Sequence, residues 1–423
     1  MSLILLSVFF ILSLLGIPLA ISLGLSVAAT ILAHDLSLAV VSRLMYTSMN
    51  SFLLVAVPLF ILAGSVMGKG GVSDKIFNAA NSLVGRWRGG LGHVNIIASL
   101  IFGGISGSSV ADVGSLGPLE IKAMTDQNYP KPYSAALTMV TSTLSSIVPP
   151  SILMIIAAVT AEQSVGRCLA GGIGPAIVLS LMFMVLNYFL TIRGGYGKVT
   201  RSTPREILMS NVTAIPALLS PLIILWGIFG GLVTPTESAA LAVIYTLLIS
   251  TFVYKKMDWR EFPKMIIQAG RTTGTILFIA MTAAIATYIF AVDQLPMKVS
   301  RMILGFSQNP QVVLLLMVFI FIILGMFLDI IAAILLVTPV LMPTALSVGI
   351  DPIHFVVLEV TALSIGLSTP PVGVCLFATS LVANLTIEDI VKAAVPYYVV
   401  MCAFLIMISL APEITLVIVR LLT

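Results

Sequence analysis

Charge is what this 423-residue sequence has least of: 9% of it is Asp, Glu, Lys or Arg, where a soluble domain carries about a quarter. That deficit excludes an ordinary soluble domain, and with 59% hydrophobic residues it points to a polytopic protein whose surroundings are a lipid bilayer. Histidine and cysteine are nearly as scarce. His34, His93 and His354 are scattered, and Cys168, Cys375 and Cys402 sit in apolar runs without pairing or metal-ligand spacing. Packing is the reading for each cysteine. Neither a metal cluster nor a catalytic triad is suggested, so no enzyme is expected, and no nucleic-acid partner either. The start, Met1-Ser-Leu-Ile-Leu-Leu, has no basic region and no small-residue cleavage site, so a removable signal peptide is not expected.

What is present is a series of apolar runs able to cross about 30 Å of hydrocarbon, at roughly 2–16, 18–33, 48–68, 132–160, 168–192, 213–233, 236–254, 272–292, 352–383 and 393–411. About ten spans are predicted. Gly16-Ile-Pro18 either separates two short spans or kinks one long one, and the choice decides which side holds the amino terminus.

Two of the runs are broken by helix-incompatible knots, Ser145-Ser-Ile-Val-Pro-Pro-Ser151 in the stretch 132–160 and Gly366-Leu-Ser-Thr-Pro-Pro-Val-Gly373 in the stretch 352–383. An unpaired backbone group in hydrocarbon costs several kcal/mol, so irregular backbone is tolerated there only where it lines a cavity or holds a ligand. Two further stretches do not fit simple crossings. Val94–Leu119 is interrupted by Gly103-Gly-Ile-Ser-Gly-Ser-Ser109, and Val312–Leu346 by Gly325-Met-Phe-Leu-Asp329. The first is left with arms of about ten residues each and the second with two half-length arms, and both are read as re-entrant hairpins.

These features recur at one offset. Gly104 precedes Gly325 by 221 residues, as Pro118 precedes Pro339, Pro149 and Pro150 precede Pro370 and Pro371, and Pro175 precedes Pro396. The chain is read as built twice. Placing the segments 69–92, 121–132, 193–209, 255–271 and 384–392 on one side gathers 16 of the 21 Lys and Arg, and by the positive-inside rule that side is the cytoplasm. The two hairpins then enter from opposite sides, which makes an inverted repeat, an architecture of secondary transporters. The predicted fold is an all-α integral membrane protein with two re-entrant hairpins and two broken helices. Two basic amphipathic stretches, 74–88 and 258–267, read as interfacial helices, or as arms bracing a moving domain.

The breaks share one chemistry. Ser108-Ser109 can cap the second arm of the first hairpin and Asp329 that of the other, while Ser368-Thr369 precede Pro370 in the pattern of a cap followed by a first-turn proline. Half-helix amino termini suit a carboxylate. Free carbonyls of the preceding half-helices suit a hard cation. With the hydroxyls of Ser106, Ser108, Ser145, Ser146, Ser368 and Thr369 nearby, two Na⁺ sites related by the repeat are expected, with an anionic substrate between the tips, at Ser108, Ser109, Asp329 and Thr369. Asp112, also near mid-membrane, is either a site residue or a cap. Glu237 in Thr234-Pro-Thr-Glu-Ser238 reads as a cap or scaffold contact.

The sequences Gly-Gly-Ile-Ser-Gly-Ser-Ser at 103–109, Thr-Pro-Thr-Glu-Ser-Ala-Ala at 234–240 and Gly-Leu-Ser-Thr-Pro-Pro-Val-Gly at 366–373 together resemble the large membrane subunit, the DctM-like M subunit, of tripartite ATP-independent periplasmic (TRAP) transporters. The likeness runs essentially the whole length. It implies Na⁺-coupled uptake in a bacterial inner membrane by an elevator-like transport domain, with a small four-helix membrane subunit and a soluble periplasmic substrate-binding protein that delivers an organic acid. Because the chain begins at the large subunit's first span, the small subunit is expected as a separate polypeptide. Carried over to this sequence, the resemblance implies one Na⁺ site at Gly103, Gly104, Ser106 and Ser108 with the hinge Ser145, Ser146, Val148 and Pro149. The other lies at Gly325 and Asp329 with the hinge Gly366, Ser368, Thr369 and Pro370.

The expected organisation is a first-repeat scaffold with its arm helix at 1–93 and a first-repeat transport part at 94–192, with hairpin 94–120 and broken helix 132–160. A second-repeat scaffold follows at 193–310, and a second transport part at 311–423, with hairpin 312–346 and broken helix 352–383. The family takes C4-dicarboxylates, sialic acids and other carboxylates, and sialic acid is the expectation here. The alternative is a stand-alone Na⁺-coupled carrier of divalent anions or carboxylates that needs no partner subunit. A channel is disfavoured because the tips carry no repeated filter.

Overall fold

The computed structural model describes residues 1–423 except Asp35, Ser51, 198–203 and Thr423, and among the described residues there is no strand. Among the described residues seven helices are by themselves long and apolar enough to cross a membrane, and counting two bent pairs as one span each makes nine. The chain is thus a multi-pass membrane protein, with fewer full-length crossings than the ten expected.

The differences have local causes. Gly16, at φ +81°, separates Ser2–Leu14 from Leu19–Ala33, so the first apolar region is two short helices that pack on each other. The expected span at 48–68 is the 14-residue helix Ala56–Lys69 behind a 3-10 turn at Phe52–Val55. It bends by 69° into Val72–Val84. That second helix is the expected amphipathic arm, burying Val72, Ile76, Phe77 and Ala80 and exposing Asp74 and Asn78. The other expected arm, 258–267, is not a separate helix. Asp258 caps a tight turn through the amide of Arg260, and a single 31-residue helix starts at Phe262 and runs to Val292.

Two helices were not expected. Leu38–Met49 and Leu295–Phe306 carry Ser42, Arg43 and Thr47 in one case and Lys298, Ser300 and Arg301 in the other, and these polar residues interrupt the apolar runs that mark a span. The long helix Phe262–Val292 packs on Leu19–Ala33, Leu38–Met49 and Ala56–Lys69, and on the second hairpin as well. Of the segments expected to share a side, 69–92 meets 255–271, where Lys69 pairs with Glu261 at 3.0 Å and Lys256 with Asp74 at 3.1 Å, and 121–132 meets 193–209, where Tyr129 packs against Tyr196.

The centre of the molecule is the first half of each broken helix. Tyr133–Thr141 and Ile353–Gly366 are buried at every position, as befits helices surrounded by protein on all sides. Pro352–Gly366 touches both arms of the second hairpin and both halves of the first broken helix. Cys168 and Cys375 are buried, as packing requires, but Cys402 is exposed, contrary to the reading of all three as packing residues.

Glu237 closes a capping box. Its backbone amide donates to Thr234 Oγ1 at 3.2 Å, and its carboxylate accepts from the Thr234 amide at 2.7 Å. Thr234→Val should therefore lower thermal stability by about 0.5–2 kcal/mol, read as a melting shift of the purified protein, with ion dependence unchanged. A shift in ion dependence would contradict a purely structural role.

Candidate functional site at the two hairpin tips

The first hairpin is less symmetric than its sequence suggests. Gly89, at φ +83°, starts the first arm early, so Gly90–Ser106 is 17 residues long, not about ten. Gly107 (φ +59°) then turns the chain, and Ser108 caps the 7-residue helix Ser109–Ser115 through the Ala111 amide at 3.4 Å. That helix continues past Leu116 into Gly117–Asp126. The second hairpin departs further: Pro310–Phe327 and Ile330–Ser347 are 18 residues each, about 27 Å at 1.5 Å per residue. Its arms are not the half-length pieces expected. Since two crossings and one re-entrant hairpin both return the chain to the side it left, the sidedness of later segments is unaffected. Asp329 caps the second arm as expected, accepting from the Ile331 amide at 3.0 Å.

Each break begins where proline removes a helical donor and forces the preceding residue out of the α region. Val148 is extended at ψ 129° before Pro149, and both Pro149-Pro150 and Pro370-Pro371 are cis. Past the first break, Ser151 caps Ile152–Thr160, accepting from Met154 N at 3.2 Å and donating to Ser146 O at 2.5 Å. Ser151 escaped the sequence reading, although a serine between Pro-Pro and an apolar helical run is the mark of a cap. Past the second break, the helix Val374–Ala383 opens at Gly373 with no side-chain cap. Ser368 and Thr369 do not cap it. Thr369 Oγ1 donates back to Ile365 O at 2.7 Å, and Ser368 Oγ reaches Met139 O of the other broken helix at 3.5 Å.

Tips and breaks touch through backbone. A Cβ at Gly103 would lie 2.5 Å from Ser145 Cα, one at Gly107 2.9 Å from Pro150 O, and one at Gly325 2.5 Å from Leu363 O and 3.1 Å from Gly366 Cα. Gly104 approaches Pro149 O and Val148 in the same way. The Gly373 amide donates to Met326 O at 3.1 Å, fastening the second break to its tip. At the first tip Ser109 and Ser146 share a hydroxyl bond of 2.6 Å, Ser145 donates to Ser99 O at 3.2 Å, and Asp112 is buried beside Ser99 and Ser145. Ser106 Oγ is buried without a hydrogen-bond partner.

The two tips face one cavity of about 760 Å³. On one side it is lined by Ser106, Ser108, Ser109, Ser146 and Asp329. Of the residues expected around the substrate, Ser108, Ser109 and Asp329 are thus brought together. Thr369 is not in the lining, its hydroxyl being turned into its own helix; Ser145 and Ser368 also lie outside it. The opposite wall, which the sequence did not announce, comes from Ala56–Lys69 and Phe262–Val292 and includes Ser65, Lys69, Gln268 and Thr272.

Residues 6–414 match the family described as the tripartite ATP-independent periplasmic transporter, DctM component. The sialic acid TRAP transporter large permease protein SiaM of Vibrio cholerae is 36% identical over 95% of this chain and 94% of its own. The C4-dicarboxylate TRAP transporter large permease protein DctM of Pseudomonas aeruginosa is 35% identical over 93% of each chain. The crystal structure of the Alcanivorax borkumensis YdaH transporter superposes with a TM-score of 0.59 at 14% identity, covering 84% of this chain and 85% of that one, a likeness of fold alone. The chain belongs to the DctM family, the large permease component of TRAP transporters, and is a multi-pass protein of the bacterial inner membrane.

Proposed function

We propose that this permease takes up an organic acid, of the sialic acid or C4-dicarboxylate type, coupled to Na⁺. A periplasmic substrate-binding protein delivers the acid, and a small four-helix membrane subunit accompanies the permease. The relatives' names supply the substrate class and the tripartite assembly. The observation that carries the reading is the single cavity between two hairpin tips, with hydroxyls and a capping carboxylate on one wall and a separate pair of helices on the other. In this reading the parts 94–192 and 311–423 form the transport domain, an inverted pair that moves as an elevator against the scaffold 1–93 and 193–310.

Na⁺ is a hard cation that takes oxygen ligands, and the breaks offer only oxygen. The first site is assigned to Ser106, Ser108 and the backbone from Ser145 to Pro149, where the unpartnered Ser106 hydroxyl suits a ligand. The second is assigned to Gly325, Asp329 and the turn from Gly366 to Pro370, including Ser368 and Thr369. The acid then rests on Ser108, Ser109 and Asp329's end of the cavity, and Thr369 belongs to the ion site alone.

Ser108→Ala and Thr369→Ala test this. Each should raise the Na⁺ concentration for half-maximal uptake about threefold to thirtyfold, the loss of one ion–hydroxyl contact, while partner assembly is kept. Thr369 Oγ1 also bonds Ile365 O, so lost assembly with unchanged Na⁺ dependence would make it helix glue and remove it from the site.

A further inference from the structure

The wall of the cavity that faces the tips has its own pattern. Ile61, Gly64, Ser65, Gly68 and Lys69 fall on one face of the helix Ala56–Lys69, and Gln268, Thr272 and Ile276 on one face of Phe262–Val292. The first face is small enough for close approach. A Cβ at Gly64 would lie 3.4 Å from Ser106 Cα, and one at Gly68 3.2 Å from Ser115 Oγ, so the tip of the first hairpin and the short helix after it lie directly against this face. At the end of that face stands Lys69, the one basic side chain among the described residues that line the cavity.

The electrostatics around Lys69 are unbalanced. Its ammonium is 3.0 Å from Glu261 Oε2, and Glu261 Oε1 is taken by Lys264. One carboxylate thus serves two ammonium groups, while the neighbouring Lys256 and Asp74 pair with each other at 3.1 Å. The Lys69 side chain is 56% exposed, and an exposed pair of this kind is weak and exchangeable. On the tip side, Asp329, the one carboxylate among the described residues of the lining, is engaged in capping. An incoming acid can displace Glu261 from Lys69 and leave Glu261 paired with Lys264, so no charge is stranded by the exchange.

We propose that Lys69 is the scaffold's anion-binding residue: a fixed cation at one end of the cavity that takes the substrate's acidic group from the hairpin tips, with Gln268 and Thr272 as hydrogen-bonding neighbours. The inference rests on the reading of the chain as an organic-acid carrier and adds to it an asymmetry. Lys69 belongs to the scaffold, so it meets the substrate only when the tips stand beside it. By the distribution of basic residues that end faces the cytoplasm. Lys69 therefore sets affinity at the cytoplasmic face and leaves loading from the periplasmic face alone.

The test is counterflow in proteoliposomes holding the complete transporter, with its substrate-binding protein outside and labelled sialic acid or succinate as probe. The half-saturating concentration of the unlabelled acid inside is measured alongside that of Na⁺. Lys69→Gln should raise the internal half-saturating concentration about tenfold, Lys69→Arg should keep it within about twofold, and external Na⁺ dependence should be unchanged in both. Glu261→Gln, which removes the competing carboxylate, should lower it, a direction that misfolding cannot mimic. Wild-type values in Lys69→Gln, or a Lys69→Arg variant as impaired as Lys69→Gln, would overturn the assignment. A wild type that moves neither acid on a Na⁺ gradient would instead overturn the transport reading beneath it.

Discussion

Gly325→Ala should reduce Na⁺-dependent uptake by about five- to 150-fold. The added methyl would lie 2.5 Å from the Leu363 carbonyl oxygen and 3.1 Å from Gly366 Cα, and both are backbone atoms that no rotamer change can move. The contact is reciprocal, since a Cβ at Gly366 would lie 2.8 Å from Gly325 Cα and 2.7 Å from Ile322 O. Relief requires the hairpin arm and the broken helix to separate by several tenths of an ångström, against an overpacking cost of about 1–3 kcal/mol. The strain falls where the second ion site is assigned, so ion affinity and transport should fall together. Gly103→Ala, 2.5 Å from Ser145 Cα, should do the same in the first half. Gly305→Ala, whose Cβ meets nothing within 4 Å, is the matched control and should behave as wild type. Uptake rate and melting temperature, measured on all three, decide the matter. Wild-type Na⁺ dependence in both Gly325→Ala and Gly103→Ala would show that close approach of arm and break is not what holds the ion.

Which parts of this were legible in the sequence follows from how locally each is determined. The two breaks were legible because Pro-Pro removes consecutive backbone donors wherever it occurs. Asp329 and Ser108 were legible as caps because a cap acts within three residues of itself; Glu237 was legible as a cap or scaffold contact, though its box with Thr234 was not. Ser368 and Thr369 match a cap pattern equally well, yet the residues from Pro370 to Gly373 carry the next helix beyond their reach. Arm length failed for a different reason. The break in each hairpin is visible, but the start of the first arm depends on the left-handed Gly89 and not on where the apolar run begins. Lys69 was invisible as a cavity residue because nothing near it in the sequence is unusual. It faces the tips only through the packing of Ala56–Lys69 against Gly90–Ser106 and Phe262–Val292.

Removal of Na⁺ should have the largest effect of all. With lysine and arginine absent from both tips and both breaks, the acid must be held there by hydroxyls, half-helix amino termini and bound cations. A helix end supplies only about 0.3–1 kcal/mol to an anion when exposed, and up to about 2 kcal/mol when partly buried. Without Na⁺ the tips should therefore hold the acid weakly, and by linkage the acid should tighten Na⁺ binding by the same factor. Two Na⁺ carried with a monoanion move one net positive charge inward, worth about 2.3 kcal/mol per 100 mV of membrane potential, so uptake should be electrogenic as well as Na⁺-driven. The most direct measurement is uptake of labelled sialic acid or succinate into proteoliposomes bearing the complete transporter, with external Na⁺ replaced by K⁺ while the potential is clamped. Nearly all uptake should be lost in K⁺, and in Na⁺ the rate for sialic acid, a monoanion, should rise as the interior is made more negative; undiminished uptake in K⁺, driven by a proton gradient alone, would contradict Na⁺ coupling.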